Sequence, residues 1–364
     1  MQRVHSIDYL RGMMALAVLL YHFLSWTIGI PDTSSVLGRL GIYAVSTFYI
    51  VSGISMYFAY HKRKWDHRVL TSFVFKRYLR LAPAFWLGCI LMIFLSYLTS
   101  KTFRINWEVL LSNLSLTFGF TNPRSYIVAG GWSIGNEMVF YLFLPLVFWF
   151  TSVRAAAILV ALVISLGYYV YYPVVLMASG KTMVDVWGQY IQPGNQAFLF
   201  FLGIAIAWAS ARYDMKRFKY HREILVLSLI TFAVYPSSGN AISIVTGHER
   251  FIYTAICGLV CLSVMNTEFK LNPMTDKLLK TTGDISYGVY ILHGAFAMYT
   301  LQLLAPAVGV TTPTGKFALL LIVTAPLLIT FAYYFYRKVE EPIMKYGKRG
   351  DLAAKSKESL PKAI

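Results

Sequence analysis

Ten stretches of mostly apolar residues constrain the fold of this 364-residue chain more than any other feature. A helix that crosses the hydrocarbon core of a bilayer needs about 20 such residues. The stretches cover residues 7–30, 40–60, 83–99, 132–150, 155–173, 195–210, 223–236, 249–265, 283–304 and 315–336. They predict an all-α, polytopic integral membrane protein with about ten transmembrane helices.

The composition excludes several other classes of protein. Hydrophobic residues make up 57% of the chain and charged residues 13%, whereas charged residues are about 25% of an ordinary soluble domain. Such a chain cannot cover a water-facing surface, which excludes a soluble enzyme and a disordered protein. The first apolar stretch holds Asp8 and Arg11 and is not followed by a small-residue cleavage site, so it is not a signal peptide.

The basic residues predict the orientation of the helices. With the N-terminus in the cytoplasm, 26 of the 33 Lys and Arg residues fall in inner segments. The other seven are Arg39, Lys101, Arg104, Arg124, Lys181, Arg250 and Lys316. This asymmetry follows the positive-inside rule and predicts that both termini are cytoplasmic. The net charge of +17 is therefore a topology signal, and a nucleic-acid partner is not expected.

The sequence predicts one membrane domain. We expect a single transmembrane domain over residues 1–342 and a short polar cytoplasmic tail over residues 343–364. The longest outer loops, residues 100–131 and 174–194, would form any outward-facing site. Cys89, Cys257 and Cys261 lie in apolar stretches, and their spacing indicates neither a disulfide framework nor a metal site.

Ionisable residues inside the predicted helices are candidates for function, because each costs about 2.5–3.5 kcal/mol on insertion scales. The first helix carries Asp8, Arg11 and His22. Arg11 and His22 are separated by three helical turns and share a face. Asp8 and Arg11 are also spaced for a local ion pair at the membrane edge.

Three further sites in the sequence each leave two interpretations open. Arg77 and Arg80 present two guanidinium groups on one helix face, suited either to phosphate oxygens or to anchoring at the cytoplasmic surface. Glu137 lies about one and a half turns below the outer surface. Its carboxylate is either paired with another side chain for structural reasons or takes part in a reaction. His293 shares a face with Tyr290 and is either a packed, hydrogen-bonded residue or a catalytic one.

Six segments of the chain, in order, resemble the signatures of the membrane acyltransferase 3 family. They are Asp8-Tyr9-Leu10-Arg11-Gly12 with His22-Phe23; Gly41 with Phe48-Tyr49-Ile50-Val51-Ser52-Gly53; Phe75, Arg77, Arg80 and Pro83; Trp132-Ser133 with Glu137, Tyr141 and Pro145; Ser286-Tyr287 with Tyr290 and His293; and Glu340-Glu341-Pro342. The chain departs from the family pattern at Tyr49 and Ile54, where Phe is frequent. Both exchanges keep an apolar or aromatic side chain.

The resemblance implies an O-acyltransferase of the bacterial inner membrane. Members of the family move acyl groups, commonly acetyl from acetyl-CoA, to hydroxyls of extracytoplasmic or lipid-linked glycans such as O-antigen or capsule. The expected partners are acyl-CoA as co-substrate, a glycan or lipid-linked sugar as acceptor, and membrane lipid. We expect no tightly bound cofactor and no metal ion.

We expect Arg11, Arg77 and Arg80, with Lys76 nearby, to hold the phosphates of acyl-CoA at the cytoplasmic mouth. His22 would act as general base or as acyl-carrying nucleophile, and Glu137 would orient it. The expected supporting residues are Asp8, Ser52, Trp132, Ser133, Tyr141, Tyr287, Tyr290, His293 and Glu340.

Two rival functions are a proton-coupled transporter, with His22 and Glu137 as a relay, and a purely structural membrane scaffold. Carriers are commonly built from repeated halves, and this sequence shows no such repeat. A scaffold leaves the buried histidine and glutamate unexplained.

The orientation can be tested with single cysteines. A cysteine placed near Gly239 or Thr312 should react with an impermeant thiol reagent added from outside, since both positions fall in predicted outer loops. A cysteine near Lys216 or Lys348 should react only after the membrane is permeabilised. The reverse pattern would overturn the predicted topology.

Overall fold

The computed structural model of the protein describes residues 5–100, 106–149, 154–177 and 181–347, and these residues form helices without strands. The α-helices are α1 (His5–Ser25), α2 (Val36–Tyr60), α3 (His67–Ser100), α4 (Trp107–Leu114), α5 (Phe118–Thr121), α6 (Gly131–Phe148), α7 (Arg154–Tyr171), α8 (Met183–Tyr190), α9 (Pro193–Arg212), α10 (His221–Val234), α11 (Ser243–Thr246), α12 (His248–Asn266), α13 (Pro273–Tyr299), α14 (Ala305–Ala307), α15 (Pro313–Leu319) and α16 (Ala325–Phe335). Turns of π-helix at Tyr172–Leu176, Thr300–Leu304, Leu320–Thr324 and Tyr336–Glu340 extend α7, α13, α15 and α16, and a 3₁₀ turn lies at Met215–Arg217.

Nine helical segments of the described residues are long and apolar enough to cross a membrane. They are His5–Ser25, Val36–Tyr60, His67–Ser100, Gly131–Phe148, Arg154–Leu176, Pro193–Arg212, His248–Asn266, Pro273–Ala307 and Pro313–Gly347. The prediction of an all-helical polytopic membrane protein is confirmed. The remaining predicted helix, 223–236, corresponds to α10, whose 14 residues span about 21 Å and so fall short of a hydrocarbon core of about 30 Å.

Helices α1 and α13 pack side by side and run in the same direction. Near their N-termini Gly283 lies against the backbone of Asp8, and Gly12 lies against Thr282. Near their C-termini His22 meets His293. Small residues at such a crossing let the two backbones approach closely. Following the predicted topology, we call the end of the bundle with Asp8 the inner end and the end with His22 the outer end.

Helix α10 reaches both ends of the bundle despite its short length. At the outer end, the guanidinium of Arg39 from the start of α2 donates to the carbonyls of Phe232 and Ala233 at 2.6 and 2.8 Å. At the inner end, Arg222 donates to the carbonyl of Glu268, in the segment that precedes α13. The long side chains of Arg39 and Arg222 therefore make the contacts that connect α10 to the two ends.

The outer loop before α6 folds into the bundle. Leu116, Phe118 and Val128 are fully buried in it. The buried side chain of Asn113 holds this loop by donating to the carbonyl of Ser125 and accepting from the amide of Ile127. As a result α6 begins below the outer end of its neighbours, after Gly130, whose φ of +78° favours glycine.

Glycines also set the distance between α2 and α9. A β-carbon on Gly53 would overlap the carbonyl oxygen of Phe200, and one on Gly203 would overlap the carbonyl oxygen of Ile50. The two helices therefore pack with their backbones in contact.

Adding one methyl group at this contact should destabilise the protein. We expect Gly53→Ala to lower the free energy of unfolding by about 1–3 kcal/mol, since the helices must move apart. Gly167→Ala in α7 is the matched control, because a β-carbon there meets open space. The comparison is the thermal unfolding of the two variants in detergent. Equal melting temperatures for both variants would contradict the close packing of α2 and α9.

Candidate functional site

A small cavity lies at the centre of the bundle, between α1, α2, α3, α6 and α13. Its volume is about 70 Å³. This is room for a few water molecules or a small acyl group, and is well below the 300–1,000 Å³ of a pocket that encloses a drug-sized ligand. The ionisable and hydroxyl groups that line it include Arg11, Ser52, Arg80, Glu137, Tyr141 and Tyr290.

Arg11 forms part of the inner wall of the cavity. Its guanidinium donates to the hydroxyl of Ser55 at 3.1 Å and lies 3.8 Å from the carboxylate of Asp8. The local ion pair expected from the spacing of Asp8 and Arg11 is therefore present. The same arginine also lines the cavity, so the ion pair with Asp8 does not remove it from the site.

Arg80 and Arg77 approach the same region from α3. Arg80 lines the cavity, whereas Arg77 lies over the rings of Tyr60 and Tyr141 at 5.8 and 5.9 Å. Within the described part of the chain, Nε and Nη1 of Arg77 are buried and have no hydrogen-bond partner. Such donors are rare in folded proteins unless a water or ligand satisfies them. Lys76 precedes Arg77, with its aliphatic stem near Gly347.

Glu137 heads a short hydrogen-bonded chain on the α6 side of the cavity. The hydroxyl of Tyr141 donates to its carboxylate at 2.9 Å and lies 3.2 Å from the hydroxyl of Ser52. Because the tyrosine has one proton and gives it to Glu137, Ser52 must be the donor of the second bond. Arg11 is close enough for its charge to act on Glu137.

Tyr290 separates the cavity from the outer part of the bundle. Its hydroxyl lies 2.9 Å from the hydroxyl of Ser133 and 3.2 Å from the carbonyl of Gly130. Its ring packs edge-on against Phe48 at 5.5 Å. Its backbone carbonyl faces the ring of His293, so the wall of the cavity is in direct contact with that histidine.

His22 and His293 form a pair at the outer end. Nδ1 of His22 lies 3.1 Å from Nε2 of His293. His293 is fully buried and His22 is half-buried. The indole of Trp26 stacks against both rings, with centroid distances of 4.9 and 5.6 Å. His293, for which the sequence left both a packing and a catalytic role open, is thus in direct contact with His22, the predicted base.

The predicted pairing of His22 with Glu137 is not what the structure forms. In the described part of the chain, the ring of His22 is hydrogen-bonded to His293, and the carboxylate of Glu137 accepts a hydrogen bond from Tyr141. The sequence predicts Glu137 about one and a half turns below the outer surface. Because α6 begins at the level of Tyr290, Glu137 lies nearer the inner end than His22 does.

The remaining predicted residues lie around the cavity and the histidine pair. Trp132 packs against Trp187 and Tyr190, and the hydroxyl of Tyr287 donates to the carbonyl of Leu81 at 2.5 Å. Glu340 is buried, and the charge of Arg80 acts on it.

Two side chains that contact the site were not expected from the sequence. Trp26 lies one helical turn after His22, a spacing that would have identified it. Ser55 lies three residues after Ser52 on α2 and carries no signal beyond that spacing. Phe48, which packs against Tyr290, belongs to the second family segment but had no expected role.

Comparison with known families decides the class of the protein. A family model described as an acyltransferase domain matches residues 4–337. The chain belongs to the membrane acyltransferase 3 family. No curated protein and no solved structure matches it. Membership makes the protein a membrane acyltransferase, and all the predicted site residues except Glu340 fall within the matched range.

Conservative replacement of the α3 arginines tests whether they hold phosphate. We expect Arg77→Lys and Arg80→Lys each to weaken the binding of acetyl-CoA about tenfold, because a lysine keeps the charge but lacks the planar fork. Arg217→Lys is the control, since Arg217 is exposed and pairs with Asp214. Binding to the purified protein can be measured by calorimetry. Wild-type affinity in both α3 variants would mark them as anchors to the membrane surface.

Proposed function

We propose that this acyltransferase moves an acetyl group from cytoplasmic acetyl-CoA to a hydroxyl of an extracytoplasmic or lipid-linked glycan, in the inner membrane of a bacterium. One observation carries the proposal. A single cavity has Arg11 and Arg80 on its inner side and Tyr290 on its outer side, and Tyr290 contacts His293 of the histidine pair. Anion-binding groups and a candidate base thus lie on opposite sides of Tyr290.

The packing of α1 and α13 supports ten crossings with both termini on the same side of the membrane, which the distribution of Lys and Arg predicts to be the cytoplasm. Because these helices are parallel, the chain must cross the membrane an odd number of times between them. Six long segments lie between them, and α10, whose ends contact opposite ends of the bundle, supplies a seventh crossing. The segment Pro313–Gly347 then returns the C-terminus to the side of the N-terminus.

The donor site follows from the charges at the inner end. The diphosphate and 3′-phosphate of acetyl-CoA are polyanionic, and Arg11, Arg77, Arg80 and Lys76 supply cationic donors near one another. The unpartnered nitrogens of Arg77 are suited to phosphate oxygens. Since the cavity is too small for a nucleotide, only the acyl end of the donor enters it, and the phosphates stay at its inner mouth.

Acyl transfer then needs a base, and His22 lies beyond Tyr290, past the outer wall of the cavity. The acceptor hydroxyl attacks the thioester carbonyl while His22 takes its proton, and the carbon–sulfur bond breaks. The proton passes to the departing thiolate, giving the acetyl ester and free CoA. In the variant of this mechanism that uses an acyl-histidine, His22 attacks the thioester first and the acceptor hydroxyl takes the acyl group from it.

Glu137 takes a different part in this proposal from the one the sequence suggested. It lines the same cavity as Arg11, Arg80 and Tyr290, and its charge offsets that of Arg11. Its bond from Tyr141 fixes the α6 side of the cavity. We therefore assign Glu137 to the electrostatics of the donor channel, and not to the orientation of His22.

Replacement of the proposed base is the direct test. His22→Ala should lower the rate of acyl transfer by about 10²–10⁴-fold, the usual contribution of a positioned base, and leave acetyl-CoA affinity near the wild-type value. Glu137→Gln should reduce turnover less severely. The exposed His67 provides the control, and His67→Ala should behave as wild type. Release of CoA thiol in the presence of acceptor measures the rate.

Two outcomes of that assay would contradict the proposal. A His22→Ala protein that transfers acetyl at the wild-type rate would remove His22 from the chemistry. A wild-type protein that releases no thiol with any envelope glycan would favour the proton-coupled carrier. The acceptor itself can be identified by mass spectrometry of glycans from cells with and without the protein, which should differ by one acetyl group.

A further inference from the structure

Three contacts of the histidine pair fix where its protons lie. Nδ1 of His293 is 2.6 Å from the carbonyl oxygen of Tyr290. Nδ1 of His22 is 3.1 Å from the carbonyl oxygen of Val18 and also 3.1 Å from Nε2 of His293. A backbone carbonyl can only accept, so a ring nitrogen that bonds to one must carry a proton.

One neutral arrangement satisfies all three contacts. His293 carries its proton on Nδ1 and gives it to Tyr290, which leaves its Nε2 as an acceptor. His22 carries its proton on Nδ1 and shares it between Val18 and Nε2 of His293. Nε2 of His22 is then the unprotonated nitrogen. Within the described residues that atom has no hydrogen-bond partner, and its ring is half-buried.

The opposite arrangement fails on these contacts. If Nε2 of His293 were the donor, a neutral His293 would turn a lone pair towards the carbonyl of Tyr290 at 2.6 Å. The lone pair of His22 Nδ1 would face the carbonyl of Val18 in the same way. A doubly protonated His293 would avoid the first clash, but it would place a charge at a position that is 0% exposed and has no carboxylate in contact with it among the described residues.

We propose that His293 is a positioning residue, which together with the carbonyl of Val18 holds His22 in the tautomer with the proton on Nδ1 and so makes Nε2 the basic atom of acyl transfer. The proposal rests on the proposed function of His22 as the base. His293 does for His22 what an orienting carboxylate does in other hydrolases and transferases, but with a neutral ring. Trp26 stacks on both imidazoles and keeps their planes in place.

Three substitutions at position 293 separate this role from simple packing. In His293→Gln the amide oxygen reaches the place of Nε2 and can still accept from His22. In His293→Asn the shorter amide stops near the place of Nδ1 and cannot. His293→Phe keeps the volume of the ring and removes the acceptor. His221→Gln is the control, because His221 is also buried and bonded to a carbonyl, that of Met215, away from the site.

The first readout is the tautomer itself, by ¹⁵N NMR of the full chain labelled at histidine, with the His22 signals assigned by their loss in His22→Asn. We expect a protonated Nδ1 and an unprotonated Nε2 on His22 in the wild type, in His293→Gln and in His221→Gln. In His293→Asn and His293→Phe the carbonyl of Val18 is the one remaining acceptor for Nδ1–H of His22, so the tautomer with the proton on Nδ1 should lose population to the other tautomer. A wild-type His22 that carries its proton on Nε2 would overturn the proposal.

The second readout is the kinetics of acyl transfer. His293→Asn and His293→Phe should lower kcat at least about tenfold, up to the ~10²–10⁴-fold that a base supplies, with KM for acetyl-CoA within about twofold of wild type. His293→Gln should restore most of kcat. Equal kcat in the Gln and Asn variants, or wild-type kcat in His293→Phe, would contradict the positioning role. The tautomer of wild-type His22 can be measured without acyl transfer and without any variant at position 293. That measurement therefore tests the proposal even if the variants misfold or the protein transfers no acyl group.

Discussion

The parallel contact between α1 and α13 is the interaction on which the rest of the site depends. Glycines at positions 12 and 283 allow the two backbones to meet near the inner end. That contact sets the register that brings His22 to His293, three turns further along α1 from Arg11. One helix thus carries both a donor-side arginine and the proposed base. Their separation along the helix axis is about 16 Å, which the cavity and the wall at Tyr290 occupy.

Much of this arrangement could be predicted from the sequence, because a bilayer limits the possible folds. Apolar stretches of sufficient length predicted nine of the ten expected segments. The third, ninth and tenth segments extend ten or more residues beyond the predicted bounds at their inner ends, starting at His67 and Pro273 and ending at Gly347. Helical periodicity placed Arg11 and His22 on one face, and the cost of burying charge singled out Glu137. These inferences use spacing within one helix, which the sequence contains directly.

Contacts between helices, and the depth of one helix relative to another, could not be predicted from spacing within one helix. The depth of Glu137 depends on how far the loop before α6 folds inward, which the buried Asn113 decides through tertiary hydrogen bonds. Arg39 and Arg250 counted as outer charges in the sequence. In the structure both are buried, and each donates to backbone carbonyls instead of facing water. The partner of His22 likewise depends on a contact across 271 positions of the chain.

The most direct test of this account is a structure of the protein in a lipid nanodisc with a non-hydrolysable acetyl-CoA analogue, by electron cryomicroscopy. The account predicts that the phosphates contact Arg77 and Arg80 at the inner mouth, with the acyl end in the cavity and pointing towards Tyr290 and the histidine pair. An analogue bound elsewhere on the inner surface, for example in the groove between Lys62 and Arg212, with the central cavity unchanged, would contradict it.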